Sequence, residues 1–311
     1  VGNYDFWQQA SELHFRQKES ESKKAKAKEQ ELKAFIQRFS SNASKAKQAT
    51  SRKKLLEKLT LQDMPVSSRK YPYIEFKPER PCGDVILEIE GLSKEVEGVT
   101  MFNDFNLTVN KGDKIAFVGP NSLAKSTLFQ ILAGELEPDS GSFRWGVTIS
   151  PSYFPKENAA SFHDEDIDVV TWLGQVAPPK EDESFVRGFL GRMLFSGEEA
   201  MKKTAVLSGG ERVRCLLSRM MLSGANVLML DEPTNHLDLE SITSLNNALQ
   251  SYSEVLLFAS HDHQLVSTVA NRLIEFFPDR IVDERMDFDE YLAMRDGDLL
   301  TDGDYAEQKA A

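Results

Sequence analysis

The first part of the chain has a pattern typical of exposed helices. Residues 8–38 contain no Gly or Pro, are rich in Ala, Glu, Lys and Gln, and carry few apolar positions, which predicts one long helix. The polar cluster SSNAS at residues 40–44 favours a turn, and KAKQATSRKKLLEKL then predicts a second helix that ends near Leu59. The pattern therefore predicts an α-helical hairpin with a polar tip over residues 8–62.

A different pattern begins after an extended linker, which the prolines of residues 63–83 predict. The alternation in VILEIEG and the apolar run KIAFVG predict strands, as do VLMLDE and EVLLFAS, and LIEFF is the last strand that we predict. Residues 165–205 have helical spacing without strands, which indicates an inserted helical subdomain. We therefore expect an α/β domain over residues 84–295, followed by an acidic, mobile tail over residues 296–311.

The composition of the 311 residues is that of a globular protein, with 41% hydrophobic and 28% charged residues. No apolar run reaches the roughly 20 residues that a membrane helix needs, and the first residues carry neither a basic leader nor a long apolar stretch. Cys82 and Cys215 are far apart and form no CxxC pair, which argues against a disulfide framework or a zinc site. We expect free thiols in a cytoplasmic protein that is not inserted in a membrane.

The net charge of −12 is unevenly distributed along the chain. Residues 16–58 carry +9 and the remainder carries −21, an asymmetry that suggests contact with a polyanion through one part of the chain. The basic residues just past the predicted tip are Lys45, Lys47, Arg52, Lys53 and Lys54. Because aromatic residues are scarce there, we expect phosphate and shape contacts with RNA rather than base stacking. A charged, alanine-rich helix can also be a solvated strut, and that alternative stays open.

The segment GPNSLAKST follows the strand KIAFVG and has the features of a phosphate-binding loop. Small residues at such a place let backbone N–H groups surround phosphates at the N-terminus of a helix. Its members are Gly119, Pro120, Asn121, Ser122, Leu123, Ala124, Lys125, Ser126 and Thr127. Lys125 would contact the β and γ phosphates and Ser126 would bind Mg²⁺. Ala124 stands where the pattern G-x-x-x-x-G-K-[ST] has glycine, which costs about 1–2 kcal/mol if that position needs a left-handed backbone and nothing if it does not.

Two adjacent acids stand at the end of the apolar strand VLMLD, the first as its last residue and the second directly after it. Asp231 would support the Mg²⁺ ligand shell, and Glu232 would polarise a water. Paired acids are also typical of a solvated strand end, so this feature alone leaves both interpretations open. The motif LSGGE lies about 20 residues upstream, and His261 follows the next strand, EVLLFAS.

The motifs LSGGE, LDEPTNHLD and SHD, in this order and spacing, resemble the ATP-binding cassette superfamily. The resemblance implies that the chain binds and hydrolyses ATP with Mg²⁺, with Glu232 as the general base and His261 as the residue that holds the γ-phosphate and the water. It also implies that Asp238 belongs to a loop that crosses to a partner cassette. The signature residues, which would clamp ATP held by an opposite cassette, are Leu207, Ser208, Gly209, Gly210 and Glu211.

Within this superfamily, the NHLD motif and the hairpin look like the ABC-F family, and the sequence around LSGGE resembles the YbiT-like bacterial group. The resemblance implies two cassettes joined by a basic linker whose tip approaches the tRNA in the ribosomal P site. Residues 1–7 would be a remnant of a preceding cassette, and residues 84–295 would be the second cassette. The expected partners are the ribosome, through rRNA and P-site tRNA, and either the first cassette or a second copy arranged head to tail.

The sequence departs from the family pattern at several positions. Besides Ala124, the loop has Ser122 and Leu123 where the family usually has Gly and Ala. Lys156 occupies the place of the glutamine that links Mg²⁺ to the helical subdomain, and a charged lysine can neutralise phosphate but cannot coordinate a metal.

The usual place of the adenine-stacking aromatic holds Val96. The nearby Phe102 is a candidate substitute, but we expect it to be a core residue.

We therefore expect an ATPase cassette that acts on the ribosome, as a translation factor or in ribosome protection. Two alternatives stay open. One is a motor subunit of an ABC transporter, although such a subunit has little use for a basic hairpin. The other is an ATP-binding switch that hydrolyses slowly, as the altered loop and Lys156 suggest.

Overall fold

A computed structural model describes residues 70–162, 166–277 and 280–284, together with Phe288 and Tyr291. The predicted hairpin with its basic cluster and the predicted acidic tail lie outside the described residues, as do residues 1–7. No helix in the described part of the chain is both long and apolar enough to cross a membrane. Cys82 and Cys215 are buried free thiols, as we predicted from their spacing.

The cassette consists of nine strands and six α-helices within the described ranges, joined by short 3₁₀ turns. The strands are β1 (Leu87–Val96), β2 (Val99–Val109), β3 (Lys114–Val118), β4 (Ser140–Trp145), β5 (Pro151–Phe154), β6 (Val227–Asp231), β7 (Val255–Ala259), β8 (Arg272–Phe276) and β9 (Ile281–Glu284). The helices are α1 (Ser122–Leu132), α2 (Val169–Gly174), α3 (Glu183–Arg192), α4 (Gly209–Leu222), α5 (Leu239–Ser251) and α6 (His263–Val269).

The central sheet has six strands in the order β5-β6-β7-β3-β8-β9. The strands from β5 to β8 are parallel, and every residue of β6, β7 and β8 is buried, as expected for short apolar strands covered on both faces. Asp231 pairs with Ala259 in register, so the carboxyl ends of β6 and β7 meet at one edge. This edge of the sheet carries the site described below.

A smaller antiparallel sheet, in the order β2-β1-β4, covers one face of the central sheet. Its apolar residues form one core together with α1, and this core includes Phe105, Phe117 and Phe129. A second core on the opposite face combines α2 to α6 with residues such as Leu230 and Phe258. The result is the α/β cassette with an inserted helical subdomain that the sequence predicts.

The helical subdomain starts at two aspartates that cap its helices. Asp168 accepts a hydrogen bond from the backbone N–H of Thr171, and Asp182 accepts one from that of Phe185. Both caps satisfy amide groups that a helix leaves open at its N-terminus. Helices α2 and α3 therefore begin where a short side-chain acceptor precedes an apolar segment.

One prediction about the strands was wrong, because LIEFF is followed by another strand. β9 pairs antiparallel with β8 after a turn in which the Phe277 N–H donates to the Arg280 carbonyl at 2.9 Å. Arg272, 6% exposed, fixes this edge by hydrogen bonds to Asp283 and Asp113. The four residues of β9 are too few to show a hydrophobic periodicity, so the sequence pattern did not predict this strand. The ion pair between Arg272 and Asp283 holds it in place.

The described part of the predicted linker, from Lys70 onward, contains no helix or strand before β1 and runs along the cassette. Its Tyr73 N–H donates to the Arg192 carbonyl at 2.9 Å, and its Glu79 N–H donates to the Gly224 carbonyl at 2.8 Å. Ile74 and Phe76 are buried in the core that contains α2 to α6. The apolar residues of this stretch thus stabilise the cassette rather than remaining in solvent.

Candidate nucleotide-binding site

The phosphate loop leaves β3 at a glycine that no other residue could replace without strain. Gly119 has φ +97°, and a Cβ built there would lie 2.6 Å from the Phe276 carbonyl oxygen. Both the left-handed backbone and the approach of β8 therefore require glycine. The chain then turns through Pro120, whose carbonyl accepts from the Ser122 N–H at 3.0 Å, into the first turn of α1.

Helix α1 begins beneath the loop with a side-chain cap. Asn121 Oδ1 accepts from the Ala124 N–H at 3.1 Å, and Lys125 Nζ donates to the Gly119 carbonyl at 2.8 Å across the loop. Lys125 is 2% exposed, and Thr127 is buried in the next turn. A lysine and the amide groups of a helix N-terminus thus belong to one loop, an arrangement that favours phosphate.

Ala124 is compatible with this loop. It lies inside α1, is fully buried in the core, and is not among the residues with positive φ. Its Cβ packs against apolar neighbours, so the left-handed penalty of about 1–2 kcal/mol does not apply. Leu123 is different, since it is 55% exposed at the start of the helix.

Two buried oxygens at this edge of the sheet that could bind a metal, Ser126 Oγ and Asp231 Oδ2, have no hydrogen-bond partner within the described residues, and neither does Glu232 Oε1 beside them. Burial raises the pKa of Asp231, and the charge of Glu232 raises it further, while Ser126, Lys156 and Lys125 lower it. Hydroxyl and carboxylate oxygens are the donors that Mg²⁺ prefers, so this pair fits a magnesium ion.

No group of three or more His, Cys, Asp or Glu side chains suited to a metal occurs in the described ranges. Mg²⁺ commonly binds through one or two protein oxygens and completes its shell with phosphates and water. The donor set at Ser126 and Asp231 is consistent with that mode.

Glu232 follows Asp231 in an unusual backbone conformation, with φ +50° and 3% exposure. Its N–H donates to the Ala259 carbonyl of β7 at 2.9 Å. Its Oε1 lies 3.3 Å from His261 Nε2, and its Oε2 accepts from the His261 N–H at 3.3 Å. A left-handed non-glycine residue costs about 1–3 kcal/mol and persists where the surroundings fix it, often at functional sites. The structure therefore brings Glu232 and His261 together at the carboxyl ends of β6 and β7.

Lys156 also belongs to this constellation. It follows β5, and its Nζ donates to Ser122 Oγ at 2.6 Å. The positive charge of Lys156 also acts on Asp231, because it is one of the groups that lower the pKa of that carboxyl. Two departures from the family pattern thus contact each other, which sequence spacing did not reveal.

The signature segment caps α4 with a reciprocal pair. The Ser208 N–H donates to Glu211 Oε2 at 2.8 Å, and the Glu211 N–H donates to Ser208 Oγ at 3.3 Å. Burial raises the pKa of Glu211, but hydrogen bonds from Lys202 and Ser208 outweigh this and lower it to about 2. Lys202 Nζ lies 2.7 Å from Glu211 Oε1. The carboxylate therefore stays ionised at the helix N-terminus.

The two signature glycines leave room for a neighbouring loop. A Cβ on Gly209 would lie 3.1 Å from the His236 ring, and one on Gly210 would lie 2.9 Å from the His236 carbonyl. Leu207, the first residue of the signature, is buried in the core of the helical subdomain. Asp238 caps α5 by accepting from the Ser241 N–H at 2.8 Å. Gly209 and Gly210 thus allow the loop that contains His236 to approach the signature within one chain.

Phe102 is a core residue, as we expected. It is 4% exposed and packs against Phe105 and Phe276, with ring centroids 6.1 and 6.5 Å apart. Val96 is partly buried at the end of β1. The usual position for an adenine-stacking aromatic therefore carries an aliphatic side chain here.

Comparisons with known proteins show the family and the fold of this chain. Two family models, both described as ABC transporter, match residues 102–235 and 1–76. The solved ATP-binding cassette of an ABC transporter, MJ1267, aligns with 69% of this chain and 96% of its own length, with a TM-score of 0.54. At 18% identity, that alignment shows a shared fold.

Curated relatives cover most of the chain. The uncharacterized ABC transporter ATP-binding protein YkpA of Bacillus subtilis (strain 168) is 57% identical over 95% of this chain and 55% of its own length. The "Probable ATP-binding protein YbiT" of Escherichia coli O157:H7 is 40% identical over 94% of this chain and 55% of its own length. The energy-dependent translational throttle protein EttA of Haemophilus influenzae is 30% identical over 88% and 49%. The chain therefore spans about half the length of the curated relatives that it matches.

Proposed function

This chain belongs to the ABC-F group of the ATP-binding cassette family, close to YbiT, and we propose that it is an ATP-hydrolysing cassette of a two-cassette protein that acts on the ribosome. In this proposal residues 84–295 form the second cassette and residues 8–62 form the linker that contacts rRNA and tRNA. The protein would act in the cytoplasm, as a translation factor or in ribosome protection.

One observation carries the ATPase part of the proposal. Lys125, the unpartnered oxygens of Ser126 and Asp231, and the Glu232–His261 pair all lie at the carboxyl edge of β3, β6 and β7. Phosphoryl transfer needs this combination, because its catalysis rests on positioning and on stabilising phosphate charge.

Each residue has a distinct role in this proposal. Lys125 and the amide groups of the loop hold the β and γ phosphates, and Mg²⁺, when bound, supplies further charge neutralisation at the phosphate oxygens. Glu232 accepts a proton from the attacking water, and His261 Nε2, 3.3 Å from Glu232 Oε1, helps to position that buried carboxylate. His261, whose side chain is 50% exposed, orients that water and contacts the γ-phosphate.

The signature segment supports a composite site between two cassettes. Leu207 to Glu211 stand at a capped helix N-terminus, which favours an anion. We expect them to complete the site of an opposite cassette, either the first cassette or a second copy arranged head to tail. Phosphate release by this chain alone should then rise more steeply than linearly with its concentration, and linear turnover without dimers would contradict the composite site.

The ribosome part of the proposal rests on two observations. One relative is named as a translational throttle protein, and residues 16–58 carry +9 while the rest of the chain carries −21. A basic segment of this kind binds nucleic acid through phosphate contacts, whose strength falls with salt.

Co-sedimentation with ribosomes over a series of salt concentrations tests this part. Replacing the five basic residues Lys45, Lys47, Arg52, Lys53 and Lys54 by Gln should weaken binding and lower the salt slope by about one unit per lost contact. The matched control replaces five lysines of the first predicted helix, namely Lys23, Lys24, Lys26, Lys28 and Lys33. Equal loss in both variants would indicate general attraction, and unchanged binding would remove the ribosome proposal while leaving the ATPase proposal intact.

A further inference from the structure

The contact between Lys156 and Ser122 places an ammonium group at the rim of the phosphate loop. Ser122 is the first residue of α1 and is 8% exposed, so its hydroxyl has a fixed position. Lys156 Nζ donates to that hydroxyl at 2.6 Å, although 34 positions separate the two residues. The end of β5 and the phosphate loop are thereby linked through a charged side chain.

The surroundings of Lys156 leave its charge available to an anion. Within the described chain it forms no ion pair with a carboxylate, and its hydrogen-bond partner is the neutral hydroxyl of Ser122. An ammonium has three N–H donors, so this contact leaves two of them for other acceptors. Lys156 therefore brings an ammonium with available donors to the phosphate loop.

We propose that Lys156 is a second phosphate-binding lysine, positioned by Ser122, and that it supplies part of the charge neutralisation that Mg²⁺ provides at this site. A lysine acts on phosphate as a point charge on a flexible stem, so it can move from the hydroxyl to a phosphate oxygen without changes in the backbone. Nucleotide binding to this cassette would then depend less on Mg²⁺ than it does with glutamine at this position. The inference rests on the proposed binding of ATP.

The contact couples Ser122 and Lys156, two of the residues that differ from the family pattern. Glycine at position 122 would give the ammonium no hydroxyl, and glutamine at position 156 would bring no charge to the loop. Each residue therefore has its proposed effect through the other, and their effects on nucleotide affinity should not be additive.

The test is fluorescence titration of the 311-residue chain with an N-methylanthraniloyl derivative of ATP, in excess Mg²⁺ and in EDTA at equal ionic strength. Lys156→Gln should weaken binding in EDTA about tenfold, as expected for the loss of one charge-assisted hydrogen bond, and should weaken it less in Mg²⁺. Lys156→Arg should keep most of the affinity because it keeps the charge. Ser122→Ala should weaken binding in EDTA by a smaller factor, and the double variant should resemble Lys156→Gln rather than the product of both effects.

The matched control is Lys111→Gln, which removes the charge of an exposed lysine in the turn between β2 and β3. It should leave the affinity unchanged under both conditions, and thermal unfolding should show that all variants remain folded. Equal affinity of Lys156→Gln and the unaltered chain in EDTA would overturn the inference while the ATP-binding proposal stands. Tighter binding of Mg²⁺ and nucleotide by Lys156→Gln would also overturn it, because Lys156 would then oppose the metal. If the unaltered chain failed to bind the nucleotide even with Mg²⁺, the proposed function and this inference would both fail.

Discussion

The replacement of Glu232 by Gln tests the proposed chemistry most directly. Glu232 is 3% exposed, and glutamine has nearly the same volume, so the change leaves no cavity. An amide oxygen can still accept the hydrogen bond that the His261 N–H donates at 3.3 Å. The backbone at φ +50° stays the same, because both side chains have the same branching. What the variant loses is the ability to accept a proton.

The variant should therefore lose turnover but keep nucleotide affinity and stability. Loss of a general base slows the chemical step about 10²–10⁴-fold, which corresponds to roughly 3–5 kcal/mol in the activation barrier. Nucleotide affinity should change by less than about threefold, because Lys125 and Ser126 are untouched and the interaction lost is made in the transition state. The stability should change by less than about 1 kcal/mol, since volume and hydrogen bonding are kept.

The assay measures phosphate release at saturating Mg²⁺ and ATP, over a range of chain concentrations that allows two copies to pair. Nucleotide affinity and thermal unfolding are measured on the same samples. The control variant is Glu181→Gln, an exposed glutamate in the turn before α3, which should keep full turnover. Turnover within a few-fold of the unaltered chain would refute Glu232 as the base. A joint loss of turnover, affinity and stability would refute it as well, because Glu232 would then act by holding the fold.

Three further predictions concern the same edge of the sheet. Gly119→Ala should lower the unfolding free energy in urea by at least about 1–2 kcal/mol and abolish nucleotide binding. The reason is that φ is +97° and the new Cβ would lie 2.6 Å from the Phe276 carbonyl oxygen. The control is Gly174→Ala, whose Cβ would have open space and which should not destabilise the chain. Ala124→Gly should lower the unfolding free energy by about 0.5–1 kcal/mol in the same assay, because the position is helical, and a gain in nucleotide affinity would contradict our interpretation of the loop. Asp231→Asn should raise the Tm of the chain without Mg²⁺ at neutral pH and remove the effect of Mg²⁺ on nucleotide affinity. Because burial raises the folded-state pKa of Asp231 above its unfolded value, its charge opposes folding at high pH, so the gain in Tm should shrink as the pH falls; a gain independent of pH would refute the assignment.

The sequence by itself determined the class of the fold and indicated the main candidate residues of its site. VLMLD and VLLFA are short apolar runs bounded by polar residues, and such runs become buried parallel strands wherever helices cover both faces of the sheet. Lys125, Glu232 and His261 were identifiable because each lies within a few residues of a strand end in a fixed motif, and motif spacing is a local property of the chain.

The tertiary structure decided the features that depend on residues far apart in the chain. Phe276 of β8 makes Gly119 indispensable, although 157 positions separate them, and Arg272 holds β9 through Asp283. The pattern of prolines predicted a linker, yet Ile74 and Phe76 are buried, because the cassette offers an apolar surface that no local pattern records.

At the residues that depart from the family pattern, the sequence likewise showed the change and the tertiary structure showed its surroundings. The sequence showed three unconnected departures, at Ala124, Ser122 and Lys156. It did not show the backbone conformation of Ala124 or the contacts of Ser122 and Lys156, on which their effects depend. The structure shows that Ala124 is helical and packed in the core, and that the Lys156 ammonium contacts the Ser122 hydroxyl at 2.6 Å. A periodicity reports which face of an element is apolar, but it does not report which elements meet. The packing of elements against each other sets the backbone conformation of Ala124 and the hydrogen-bond partner of Lys156. Both therefore required the folded structure.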